Sequence, residues 1–183
     1  MKKILFNRQS PEVQEIRNLI KEQSHRCLVL WVIDCAPRVL AIFEQKYETD
    51  SRPREALNAA IAWSKGEIKM PVAKKAALDA HKAAFLVEED QAACAAAHAM
   101  GHVLGTVHVE THAIWFVIYG LSAFVKENNP LLKDQIIERE THWFYDRLKY
   151  WGSHTDIIKR NWAPFLLKND VINKEKLLGE KNK

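Results

Sequence analysis

The chain is poor in the residues that cross-link or interrupt a fold: three cysteines, six glycines and six prolines among 183 residues. Cys27, Cys35 and Cys94 form no CxxC and are too few for a disulfide framework, which fits a reducing compartment. A long apolar run is missing too. The longest, Ala113 to Tyr119 with Gly120 and Leu121 behind it, is far short of the ~20 residues that span a bilayer, so no membrane segment is expected. The opening MKKILFNRQSPE has a basic start but only Ile4, Leu5 and Phe6 as an apolar segment, which is not a signal peptide. A large charge of either sign is lacking as well. Lys and Arg number 27 against 23 Asp and Glu, a net +4 that is too small and too dispersed for nucleic-acid binding. These absences leave a soluble cytoplasmic protein. At 48 % hydrophobic and 27 % charged residues it has enough apolar side chains for a core.

One absence is local. Between Gln91 and Val109 there is no Asp, Glu, Lys or Arg, yet the stretch from Cys94 to Tyr119, CAAAHAMGHVLGTVHVETHAIWFVIY, holds four of the eight histidines. Such a segment belongs inside the protein. At about 100° per residue, His98, His102, His108 and His112 fall on one helical face about 120° wide, together with Cys94, Gly101 and Gly105. Glycine inside a helix costs about 1 kcal/mol relative to alanine, so Gly101 and Gly105, four apart, imply close approach by a neighbour. A break at Gly105-Thr106 is the other reading. It would leave the pairs His98/His102 and His108/His112 intact, each at i,i+4.

An i,i+4 histidine pair can hold zinc or another transition metal, which makes His98, His102, His108 and His112 the metal candidates. The Glu that follows the first His in a zincin helix is absent, however: Ala99 and Val109 stand there. Neutral imidazoles also form satisfied polar cores, each ring donating to one neighbour and accepting from another. That core would comprise His81, His98, His102, His108 and His112, with His81 reaching it from an Ala-rich helix. An anion pocket is a third reading, but it needs protonated rings, which burial disfavours.

The rest of the chain reads as helices. Ser10-Pro11-Glu12, Asp50-Ser51-Arg52-Pro53, Pro71 and Asn129-Pro130 are start signals, and Gly66 and Gly152 are stops. A helix is expected from about His25 to about Tyr47, kinked or restarted at Pro37. Glu88-Glu89-Asp90 places negative charge at the start of the central helix. Leu132, Ile136, Arg139, Trp143 and Leu148 mark the inner face of the long helix after Pro130. Asn161 to Leu167 should clasp the bundle through Trp162 and Phe165, and a loosely ordered charged tail should begin at about 174. The expected architecture is all-α: one domain over 1–183, a helical bundle of about six to eight helices around the Ala/Gly/His-rich helix.

Several runs resemble a known family. RVLAIFE (38–44), DSRPREAL (50–57), AWSKGEI (62–68), Ala80-His81, Gly101-His102 and TVHVETHA (106–113) are similar to the bacterial Imm-5-like putative immunity proteins over roughly Cys35 to Tyr119. The chain departs from that pattern at Gly105, where alanine is expected, and at the bulky Trp115-Phe116-Val117-Ile118, where small residues are expected. The resemblance implies a cytoplasmic, non-catalytic protein without a cofactor that neutralises a bacterial protein toxin by binding it. The alternative from the residues alone is a metal-binding helical protein with a histidine cluster, which would allow an enzyme of undefined reaction. Arg52 and Arg54 are candidates for contacting an anion or an acidic partner, or for pairing with Asp50, Glu55 or Glu44. The Ala-rich faces could equally pack a second subunit in a homo-oligomer.

Overall fold

The computed structural model describes residues 4–168 and 172–180, and among these it contains eight α-helices and no strand. They are α1 (Pro11–Glu22), α2 (His25–Glu44), α3 (Arg52–Ser64), α4 (Met70–Leu86), α5 (Gln91–His108), α6 (Ala113–Glu127), α7 (Lys133–His154) and α8 (Lys174–Glu180). The fold is a single all-helical domain. α5 packs against α2, α3, α4 and α6, so the uncharged stretch is the hub. On the far side α7 closes the bundle over α1, α2 and α6.

Local chemistry sets most helix ends. Pro occupies the first turn of α1, α3 and α4, where its missing N–H costs nothing. Asp90 caps α5 by accepting from the Ala93 amide at 3.1 Å. Gly66, at φ +80°, takes the left-handed turn that releases the chain from α3. Two ends differ from expectation. α2 runs through Pro37 without restarting. α7 runs through Gly152 to His154; a Cβ at Gly152 would lie 2.8 Å from Gln23 Oε1, so this glycine serves close packing against α1's end and does not stop the helix.

The core between α2, α6 and α7 is aromatic. Trp31 meets Phe116 and Phe144 edge-on and donates from Nε1 to the Phe144 carbonyl at 3.0 Å. The inner face of α7 is Ile136, Glu140, Phe144 and Leu148, spaced four apart. Leu132 and Arg139, expected to face inward, are exposed, and Trp143 is half-buried. Glu140 takes the inward place and is fully buried, held by Arg38 Nη1 at 2.8 Å and Arg139 Nε at 2.8 Å. Arg38 in turn lies over the rings of Trp143 and Phe124, 4.4 and 5.0 Å from their centroids.

The charged end differs from the loose tail expected there. Lys174–Glu180 is helical, and Glu175 is fully buried, accepting from Arg8 at 2.6 Å and Arg17 at 2.8 Å. Asn173 donates to the carbonyls of Ile20 and Gln23, tying this helix to the orphan carbonyls at the end of α1. Residues 181–183 lie outside the described residues. In the 161–167 segment Ala163 and Leu166 are the buried anchors, while Trp162 is half-buried and Phe165 lies exposed against Trp63.

Candidate functional site: a histidine row in an aromatic groove

α5 is continuous through Gly105 and ends at His108. Val109 is extended, Glu110–His112 makes one 3-10 turn, and α6 returns antiparallel to α5. Tyr119 on α6 meets His98, and Trp115 meets His102. α4 runs antiparallel along the other side, with Phe85 beside His98 and His81 beside both His98 and His102. The face of α5 that carries His98, Gly101, His102 and Gly105 is thus the floor of a groove walled by α4 and α6.

The imidazoles pair across helices. His81 Nδ1 lies 2.8 Å from His98 Nδ1, and His102 Nδ1 lies 3.0 Å from His112 Nδ1. In each pair one ring donates from Nδ1 and the other accepts, so both rings can be neutral and satisfied. Burial pushes His81, His102 and His112 below the usual imidazole range. His102 goes furthest, since His112, His81 and His98 add like-charge repulsion to its desolvation. His102 also stacks on two rings of α6, its centroid 5.0 Å from Tyr119 and 6.2 Å from Trp115.

The two glycines admit these rings. A Cβ at Gly101 would lie 2.5 Å from the His81 ring, and one at Gly105 would lie 2.7 Å from the His112 ring. Close approach, the reading made from their spacing, therefore has named partners, and helix α5 does not break at either residue.

The structure brings His81, His98, His102 and His112 together but separates His108 from them. His108 was expected in the buried cluster; it is exposed, its ring stacked on Trp63 at 6.0 Å. The reason is that α5 ends there, so His108 lies at the mouth of the groove. His112 reaches His102 because the chain turns back, whereas a single continuous helix would have placed it about one turn beyond His108. Among the described residues no group of three or more His, Cys, Asp or Glu side chains is arranged to hold a metal ion, the four proposed ligands included. The Nδ1 atoms of His98 and His102 are turned to His81 and His112, and His108 stands apart on Trp63.

At the Gly101–His108 end the groove opens into a hollow of about 390 Å³ lined by Trp63, Met70, Leu78, His81, Leu104 and His112 among others. Along α4, Met70, Leu78 and Phe85 are 48 %, 50 % and 56 % exposed. At about 100° per residue they share one helical face with His81. This stripe was not among the expected features, since the Ala-rich face of α4 is the stronger pattern in its sequence. Their spacing carried the signal.

Arg52 and Arg54 lie away from the row. Arg52 donates to Asp50 through Nε at 2.8 Å, and Arg54 grips Glu44 through Nε at 2.8 Å and Nη2 at 2.6 Å. Each arginine is therefore paired within its own corner between α2 and α3. Cys27, Cys35 and Cys94 are buried free thiols. Burial pushes Cys27 up to about 12 and Cys35 well above its ordinary value, so both are unreactive thiols at neutral pH. No helix among the described residues is long and apolar enough to cross a membrane.

Comparison with curated proteins and with solved structures returned no match. The profile of the Imm-5 like putative immunity protein family matches residues 18–150, from α1 to near the end of α7. That span is well over half of the chain and takes in both walls and the floor of the groove, so the protein belongs to the Imm-5-like putative immunity protein family.

Proposed function

We propose that this protein neutralises a bacterial protein toxin by binding it in the cytoplasm, with the histidine groove and the outer face of α4 as the docking surface. The family match carries the reading. The groove supplies a surface suited to it: exposed Met70, Leu78 and Phe85 beside Trp63 and a row of imidazoles. Aromatic anchors in partly desolvated pockets dominate binding energy at protein interfaces. Neutral imidazole Nε2 atoms offer both donors and acceptors to a partner without a net charge to desolvate. The glycine floor and the paired rings are held by the fold, so little ordering cost remains at the moment of binding. On this reading the protein acts by occlusion and carries out no chemistry.

The test is co-expression with candidate toxins drawn from its gene neighbourhood. Wild type should restore growth. Phe85→Asp and Leu78→Asp change exposed residues only, so they should keep the wild-type melting temperature and lose protection. Full protection by both variants would exclude the α4 face as the interface. Failure of wild type to protect, together with no capture of the toxin, would exclude neutralisation.

A further inference from the structure

A second cavity, of about 220 Å³, lies at the opposite side of the α5 end from the groove. Its walls are the amino end of α2 (Ser24, His25, Arg26), His108, Glu110, the Phe165–Leu166 turn, Lys168 and Lys174. It is independent of the immunity reading, and its charges are unusually ordered.

The floor is a pair of acceptors. Glu110 is 3 % exposed, and its recorded ionic contact is His25 Nδ1 at 3.5 Å. His25 Nε2 lies 2.7 Å from the Thr106 carbonyl oxygen. A carbonyl only accepts, so the ring's proton sits on Nε2, and in the neutral ring Nδ1 carries a bare lone pair. Burial, the largest influence on His25, pushes the ring below the usual imidazole range against the opposing pull of Glu110 and the Thr106 hydrogen bond. A lone pair and a carboxylate oxygen then converge at 3.5 Å, an arrangement completed by a donor between them.

The rim has the opposite character. Lys168 and Lys174 are exposed, and Arg26 reaches the same cavity while holding the largely exposed Asp156 at 3.1 Å. Phe165 and Leu166 add an apolar wall. A guest thus meets acceptors, hydrocarbon and cations in one cavity.

We propose that this cavity binds a small zwitterion: a primary ammonium held by Glu110 and His25, a short aliphatic spacer along Phe165 and Leu166, and an anionic group at Lys168, Lys174 and Arg26. The full-length protein would be titrated calorimetrically with phosphoethanolamine and β-alanine, and separately with their halves, ethanolamine, inorganic phosphate and propionate. At least one zwitterion should bind about tenfold more tightly than any half, a gain of about 1.4 kcal/mol. Glu110→Gln should erase that preference by removing the charge under the ammonium. Lys174→Met alters an exposed side chain and leaves the fold alone; it should weaken the zwitterion about fivefold, as loss of one solvated ion pair does. If Glu110→Gln fails to fold, Lys168→Met and Lys174→Met carry the test alone. Zwitterions that bind no better than phosphate or propionate would overturn the ammonium site. The absence of heat with every probe, or affinity unchanged in both lysine variants, would overturn the cavity as the binding place.

Discussion

Two kinds of polar group are drawn into this protein, in its interior and in its groove, and they are satisfied differently. On the α7 side, Glu140 is a fully buried carboxylate clamped by Arg38 and Arg139, and at the chain end Glu175 is clamped by Arg8 and Arg17. In the groove, four imidazoles are satisfied by one another in neutral pairs. A buried charge left without its partner keeps its whole desolvation penalty. A neutral ring left alone loses one hydrogen bond and can turn toward solvent. The carboxylate sites therefore lock the helices, whereas the histidine row is a moderate-energy surface that a partner can engage.

The largest effect should come from breaking a lock. Arg38→Ala strands the buried Glu140 with Arg139 alone and removes the ring contacts to Trp143 and Phe124, so unfolding should become easier by about 3–5 kcal/mol in urea titration. The double replacement Arg38→Met with Glu140→Met should cost much less, because no buried charge remains. Equal losses in the single and double variants would show that apolar packing, and not the ion pair, is what matters there.

Glycine substitutions sharpen the comparison from the groove side. Gly105→Ala drives a Cβ into the base of the His112 ring, which cannot swing away, and should cost about 1–3 kcal/mol. Gly101→Ala meets the outer edge of the His81 ring, which can leave toward solvent. It should cost about 1 kcal/mol or less, since alanine also favours the helix by about that much. Thermal melts of the two variants would separate them, and the opposite order would contradict the ring placements.

Acid should find the histidines. His25, His81, His102 and His112 are all pushed below their ordinary value, so above the unfolded imidazole range near ~6.5 neither state binds the proton and their contribution is fully present. As pH falls below ~6.5 the unfolded chain takes up protons that the folded chain refuses, and stability drops by up to about 1.4 kcal/mol per pH unit for each such ring. A melting temperature unchanged between pH 7.5 and 5.5 would rule out neutral buried pairs. A native mass spectrum of protein purified without chelator or polyhistidine tag should give the chain mass with no metal. One bound ion per chain, lost in His102→Ala, would instead mean that the rings turn from each other toward a ligand site.

The smallest effect belongs to the α2–α3 corner. Arg54→Ala removes a two-point grip on Glu44, but both side chains are about one-third to two-fifths exposed, so the loss should stay within about 1 kcal/mol. If toxin protection falls while stability does not, the Arg52 and Arg54 corner is part of the interface as well.

Much of the fold was legible in the residues because the signals are local. Pro in a first turn, Gly66 where the chain must turn left-handed, and an acidic cap at Asp90 act within a few residues of themselves. The absence of charge from Gln91 to Val109 fixed α5 as the hub, and two glycines four apart announced close neighbours. The pairing of His81 with His98 was within reach, since both lie on faces that must meet. Tertiary structure decided what depends on how one helix is rotated against another. Glu140 faces in and Arg139 out because Phe144 and Leu148 set the turn of α7 against Trp31 and its neighbours. His108 is exposed while His112 returns to the row because the chain reverses at Val109. Glu175 is buried because two arginines from the opposite end of the chain wait for it. None of these contacts has a local signature, since each joins residues far apart in sequence whose meeting is settled only when the helices pack.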